Sequence, residues 1–223
     1  MPATTPAAMA RRVALLGGTF DPVHDGHVAL GAHFMELLQA DELWVMPALP
    51  WQKGALAATP AQRVEMVELA FASQPYPVVV DSRELHRGQP TYTVDTLREL
   101  RAELGPATSI AFLMGADQLQ RLDTWHDWQD LFGLAHLCAA ARPGFTLDAL
   151  PPAVAQEFAR RAATPGQIRN TPSGLTCLAP ELALDISATG IRAALQRGNK
   201  PSSLTLLIPP VVLDYIEQHN LYK

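Results

Sequence analysis

The chain has 223 residues, 48% hydrophobic and 17% charged, which suits one generous domain and excludes intrinsic disorder as the main state. Seventeen Lys and Arg against 22 Asp and Glu leave a formal charge of −5, the opposite of the bias usual in proteins that bind duplex nucleic acid or anionic membrane. Two cysteines, Cys138 and Cys177, are too few for a disulfide framework or a four-cysteine zinc site and read as buried free thiols.

Residues 1–10 are uncharged and rich in Ala, Pro and Thr, and read as a disordered tail ahead of a single domain over 11–223. Their order does not fit a secretory signal, because Arg11 and Arg12 follow the small residues. No apolar run approaches a membrane span, and the long stretch 204–213 is broken by Pro209 and Pro210. A soluble, cytoplasmic protein is expected.

The first aliphatic run, 13–16, predicts a strand ending at Gly17-Gly18, and 26–39 has the period of an amphipathic helix. A second strand falls at 43–46, followed by a Pro- and Gly-containing loop over 47–59. Thr59-Pro60 opens a helix that runs to about residue 72, with Thr as N-cap and Pro in the first turn. A third strand is predicted over 78–80, and a helix over 92–104 closes at Gly105. Strand four covers 110–114 and leads through Gly115-Ala116-Asp117 into a helix holding Trp125 and Trp128. Strand five covers 136–140. Residues 145–180 are less regular, with a helix-prone stretch at 154–163, and read as a peripheral excursion. Helices over 188–196 and 211–219 end the chain. Five alternations of strand and helix predict an α/β fold, a doubly wound parallel sheet whose ligands bind beyond the carboxyl ends of the strands.

The first strand–loop–helix junction reads Gly17-Gly18-Thr19-Phe20-Asp21-Pro22-Val23-His24-Asp25-Gly26-His27. Adjacent glycines let backbone amides approach a phosphate, and a helix N-terminus adds partial positive charge and free N–H groups. His24 and His27, three apart at the mouth of that helix, can face one point, and Gly26 leaves room for a ligand. The helical zinc motif instead sets its histidines four apart around a Glu, and a dinucleotide fingerprint needs a third glycine that is missing.

This junction resembles the GGTFDPxHxGH signature of nicotinate-nucleotide adenylyltransferases, members of the nucleotidylyltransferase superfamily whose HxGH element is akin to the HIGH motif of class I aminoacyl-tRNA synthetases. The second signature of the family, ISxTxIR, is matched by Ile186-Ser187-Ala188-Thr189-Gly190-Ile191-Arg192. Thr91-Tyr92-Thr93-Val94-Asp95-Thr96-Leu97 resembles its SYTxxTL segment. The resemblance implies a Rossmann-like doubly wound sheet of the HxGH type with C-terminal helices, and adenylyl transfer from ATP to nicotinate mononucleotide with Mg²⁺ carried by the ATP. It assigns catalytic roles to His24, His27 and Arg192, and ATP contacts to Gly17, Gly18, Thr19, Phe20, Gly26, Gly115, Ser187, Thr189 and Ile191. On the acceptor side it assigns Thr93, Asp117 and Trp125, the last as the ring that stacks on the pyridine. Lys53, in the loop after strand two, and Arg142, after strand five, are candidates for a substrate phosphate by position and charge, and Trp128 is left to the core. It implies no metal ligands among the protein's own side chains.

One departure stands in the loop after strand two, where the family commonly has PPHK or PPHR and this chain has Leu49-Pro50-Trp51-Gln52-Lys53. Four other readings stay open on the residues alone. They are phosphopantetheine adenylyl transfer, nicotinamide mononucleotide as acceptor, a non-catalytic nucleotide-sensing module on the same fold, and a metal-dependent phosphohydrolase. The last is weakened by the lack of clustered carboxylates. Nucleic acid and membrane are not expected partners, and the sequence does not set an oligomeric state.

Overall fold

The computed structural model describes residues 11–49, 56–89, 91–141, 145–179, 182, 186–198 and 204–223. Its strands are β1 (Arg12–Gly18), β2 (Glu42–Pro47), β3 (Val78–Val80), β4 (Ser109–Gly115), β5 (His136–Ala140) and β6 (Thr176–Ala179). They form one sheet in the order β3-β2-β1-β4-β5-β6, and every neighbouring pair is parallel. The order reverses between β1 and β4, which places the crevice for a ligand beyond the carboxyl ends of these two strands.

Nine helices are described: α1 (Asp25–Leu38), α2 (Pro60–Phe71), α3 (Arg83–His86), α4 (Thr93–Leu104), α5 (Leu131–Leu134), α6 (Pro152–Arg160), α7 (Pro165–Arg169), α8 (Ala188–Gln196) and α9 (Pro210–Gln218). Because successive strand side chains point to opposite faces, each aliphatic run feeds two cores. Ala14, Leu16, Ala111, Leu113 and Cys138 pack with α1, α2, α8 and α9 on one face. Val13, Leu15, Ile110, Phe112 and Leu137 pack with α4, α5 and α6 on the other. Both cysteines are buried free thiols, as expected, and burial pushes both above the ordinary thiol range.

Two expectations need correction. Residues 145–180 are not merely peripheral, because they supply the sixth strand, with Leu137 paired to Thr176 and Ala140 to Ala179. Within them, α7 packs against α1 and β4. The segment after β4 is not an α-helix. Ala116–Thr124 is a 3₁₀ segment, Trp125 is extended, and Asp127 turns left-handed at φ 47° before a second 3₁₀ turn at Trp128–Asp130. In α2 the buried stripe is Arg63, Met66, Val67, Ala70 and Phe71, and Leu69 faces outward.

Candidate active site

β1 delivers the chain to the carboxyl edge of the sheet, and its ladder continues through both glycines: Gly17 pairs with Met46 and Gly18 with Pro47. The glycines therefore lie in the strand, and aromatic packing requires their size. A Cβ on Gly17 would stand 3.2 Å from the Phe112 ring, and one on Gly18 2.8 Å from the ring of Phe20. Phe20 itself is left-handed at φ 50° and buried, with its ring edge-on to His27 at 4.8 Å between centroids. What Phe20 offers a ligand is its backbone. The same holds for Ile191, whose side chain is buried in the core.

His24 caps α1 with an extended backbone. Its N–H donates to Nδ1 of His27 at 3.2 Å, and the two imidazoles stack with centroids 3.7 Å apart. Neutral His27 therefore carries its proton on Nε2. Gly26 makes room for the His24 ring, since a Cβ there would lie 3.0 Å from His24 Nδ1. Asp25 follows in the first turn, and burial raises its carboxyl above the ordinary value.

The start of α8 comes alongside, with Ile186 Cβ 3.6 Å from the position of a Cβ on Gly26. Ser187 is the N-cap, and its Oγ accepts the Gly190 N–H at 3.1 Å. Arg192 ties the two junctions together. Its Nη1 donates to the backbone oxygen of Asp21 at 2.6 Å and its Nη2 to Thr189 Oγ1 at 3.3 Å. Two helix N-termini, two imidazoles and a guanidinium thus converge from sequence positions more than 160 apart, an arrangement suited to a polyphosphate.

Beneath the loop lies a polar set that sequence reasoning missed. The Asp21 carboxylate accepts the N–H groups of Ala57 and Ala58, each at 3.1 Å, and the hydroxyl of Tyr222 at 2.9 Å. Arg63 is fully buried, and its Nη1 donates to the carbonyls of Thr19 at 2.6 Å and Ala48 at 2.8 Å. Burial lowers the pKa of this guanidinium, while the charge of Asp21 opposes the shift. A signal for Arg63 existed: it stands three and four residues before Met66 and Val67 on the inward stripe of α2.

On the other side of β4, Phe112 separates the signature from the segment holding Trp125. The Phe112 ring covers Gly17 and meets Trp125 edge-on at 6.3 Å. Trp125 and Trp128 are both half-buried, Trp128 edge-on to Phe132 at 6.2 Å. Gly115 ends β4, and Asp117 is exposed just beyond it. Thr93 opens the twelve-residue α4, and Tyr92 before it lies 4.5 Å from the ring of His126. The buried carboxylate of Glu84 braces this turn, accepting the hydroxyls of Thr91 at 2.6 Å and Thr96 at 2.7 Å. Gln52, Lys53 and Arg142 lie outside the described residues.

Among the described residues no group of three His, Cys, Asp or Glu comes together that could hold a metal ion. None of the described helices is long and apolar enough to cross a membrane.

A parallel sheet with an HxGH turn at its switch point defines a nucleotidyltransferase fold. The family model for cytidylyltransferase-like domains matches residues 15–194. Among curated proteins, one from Herminiimonas arsenicoxydans named "Probable nicotinate-nucleotide adenylyltransferase" is 59% identical over 97% of this chain and 99% of its own. One of the same name from Laribacter hongkongensis is 46% identical over 95% of this chain and 94% of its own. The chain belongs to the nicotinate-nucleotide adenylyltransferase family. In fold it matches the Plasmodium falciparum nicotinic acid mononucleotide adenylyltransferase complexed with NaAD, with a TM-score of 0.73, 20% identity, and 95% of this chain and 97% of that one covered. The same enzyme complexed with APC matches with a TM-score of 0.71.

Proposed function

We propose that the chain transfers the adenylyl group of ATP to nicotinate mononucleotide, giving deamido-NAD and pyrophosphate, and that it does so as a single cytoplasmic domain. The observation that carries this reading is the 59% identity over nearly the full length to a relative of that name. The convergence of His24, His27 and Arg192 on one loop supports the chemistry.

The acceptor is already a phosphate anion, so it needs no general base. A phosphate oxygen of the mononucleotide attacks the α-phosphorus of ATP, the new P–O bond forms, and the bond to the β-phosphate bridge oxygen breaks with pyrophosphate leaving. What this chain supplies is position and charge complementarity. His27 Nε2–H donates to an oxygen of the reacting α-phosphate, with His24 beside it. The N–H groups at the starts of α1 and α8, with the hydroxyl of Thr189, hold the other phosphate oxygens, and Arg192 takes the leaving pyrophosphate. Backbone at Gly17, Gly18, Thr19, Phe20, Gly26, Gly115 and Ile191 and the Ser187 cap shape the ATP side.

Thr93 presents its amide to the nicotinate carboxylate, Trp125 stacks on the pyridine ring, and Asp117 meets a ribose. Lys53 and Arg142 are proposed as further contacts to the mononucleotide's phosphate. A divalent ion, inferred to be Mg²⁺, comes with the ATP phosphates and screens their charge. The site fits an ion carried by substrate, because the Asp21 carboxylate in its floor is committed to two N–H groups and a hydroxyl.

The test is pyrophosphate release from ATP and Mg²⁺ with nicotinate mononucleotide, nicotinamide mononucleotide or phosphopantetheine in turn. Release is expected with the first, and release with phosphopantetheine alone would overturn the assignment.

A further inference from the structure

The segment that carries the histidines is gripped from below at two residues by three distant parts of the chain. Arg63, from α2, holds the carbonyl of Thr19. Arg192, from α8, holds the carbonyl of Asp21, and Tyr222 holds its carboxylate from 201 residues away. Tyr222 is itself buried and left-handed at φ 62°, and a buried hydroxyl on a buried carboxylate is costly to lose. Its hydroxyl is held in the protonated form, since burial and the Asp21 charge both push its pKa up.

Asp21 stands three residues before His24, and the turn between them has little freedom. Phe20 beside it is buried against both Gly18 and His27. Any shift of Asp21 is therefore passed to the imidazoles and to Arg192, which hangs on the same residue. We propose that Tyr222 is a positioning residue for adenylyl transfer: through Asp21 it fixes the backbone from which His24 and His27 address the phosphates and on whose carbonyl the Arg192 guanidinium rests. It touches no substrate. Its contribution is the sub-ångström placement on which a reaction of this kind depends.

The proposal rests on the function proposed above for its kinetic arm only. Tyr222→Phe keeps the ring and deletes the hydroxyl. At a temperature where both proteins are fully folded by circular dichroism, kcat for pyrophosphate release should fall about tenfold while KM for ATP changes less than about twofold. Lys223→Ala, beside it, should behave as wild type. Unchanged kcat in Tyr222→Phe overturns the proposal, as does an equal loss in the Lys223 variant.

Amide hydrogen exchange gives an arm that needs no turnover. The N–H groups of His24 and His27 should exchange about tenfold faster in Tyr222→Phe, with no comparable change in β4 or β5. Unaltered exchange around the histidines overturns the proposal even if the acceptor proves to be a different molecule. A wild-type chain inactive with every acceptor would sink the functional assignment and leave the exchange result to decide this one.

Discussion

His27 reaches back with Nδ1 to the backbone N–H of His24 and lays its ring on that residue's ring, so the cap of the helix sets the tautomer of His27 and stacking sets the orientation of the pair. The consequence is a proton on Nε2 of His27, on the far side of the ring from the helix cap. His27→Ala removes this donor together with its brace on His24. Loss of one such donor to a developing charge costs about 10²–10³ in kcat, with far less effect on ATP affinity. Steady-state kinetics with saturating nicotinate mononucleotide check this, and near-normal turnover would take His27 out of the chemistry.

Gly26 separates activity from stability. It occupies the first turn of α1, where alanine is the better helix former by about 1 kcal/mol. An added Cβ would press on His24 Nδ1 at 3.0 Å. Gly26→Ala should therefore keep or raise the unfolding midpoint while lowering kcat about tenfold, as the displaced imidazole leaves its partner. Paired denaturation and turnover measurements decide, and a variant as active as wild type would show that the His24 ring can shift without penalty.

Trp125 is half-buried and held edge-on by Phe112, so its ring is stiff before any ligand arrives. Trp125→Ala should raise KM for nicotinate mononucleotide about tenfold, the worth of one aromatic contact, and leave KM for ATP within about twofold. Equal increases for both substrates would mean that the tryptophan supports the fold and does not meet the pyridine.

His136 predicts a pH dependence of folding. It is fully buried at the start of β5, where Nε2 bonds the Thr171 carbonyl at 2.9 Å and Nδ1 accepts the Leu175 N–H at 3.2 Å. Burial lowers its pKa below the ordinary 6.5, more than the Thr171 bond restores. The unfolded chain thus binds the proton more readily than the folded one. Stability is full above the unfolded value and is lost as pH falls from there toward the depressed folded value. Urea midpoints between about pH 7.5 and pH 5.5 should drop in the wild type and flatten in His136→Gln. Parallel slopes in the two proteins would count against this origin.

What could be read in advance was what is written locally. Thr59-Pro60 and Ser187 announce their helices through caps that need only three following residues, and both caps form. β3 and β5 are short aliphatic runs between turn signals. β6 was missed because its four residues have an exposed Leu178 in their midst and become a strand only by pairing with β5. Trp125 and Trp128 have helical spacing, yet the left-handed Asp127 between them breaks the helix. The roles of Arg63 and Tyr222 were hard to read for a different reason: Arg63 stands on the inward stripe of its helix, but the carbonyls it holds lie 15 and 44 residues away, and the carboxylate that Tyr222 holds lies 201 away. The signature marked the histidines but not their supports.

The bond between Tyr222 and Asp21 also sets an order of events during synthesis. A ribosome adding about 5–20 residues per second needs roughly ten to forty seconds to pass from one of these residues to the other. Throughout that interval the nascent chain already displays both histidines, while the carboxylate that anchors them lacks its last donor. The last of the described donors to the Asp21 carboxylate is thus synthesised long after both strands of the β1–β2 ladder.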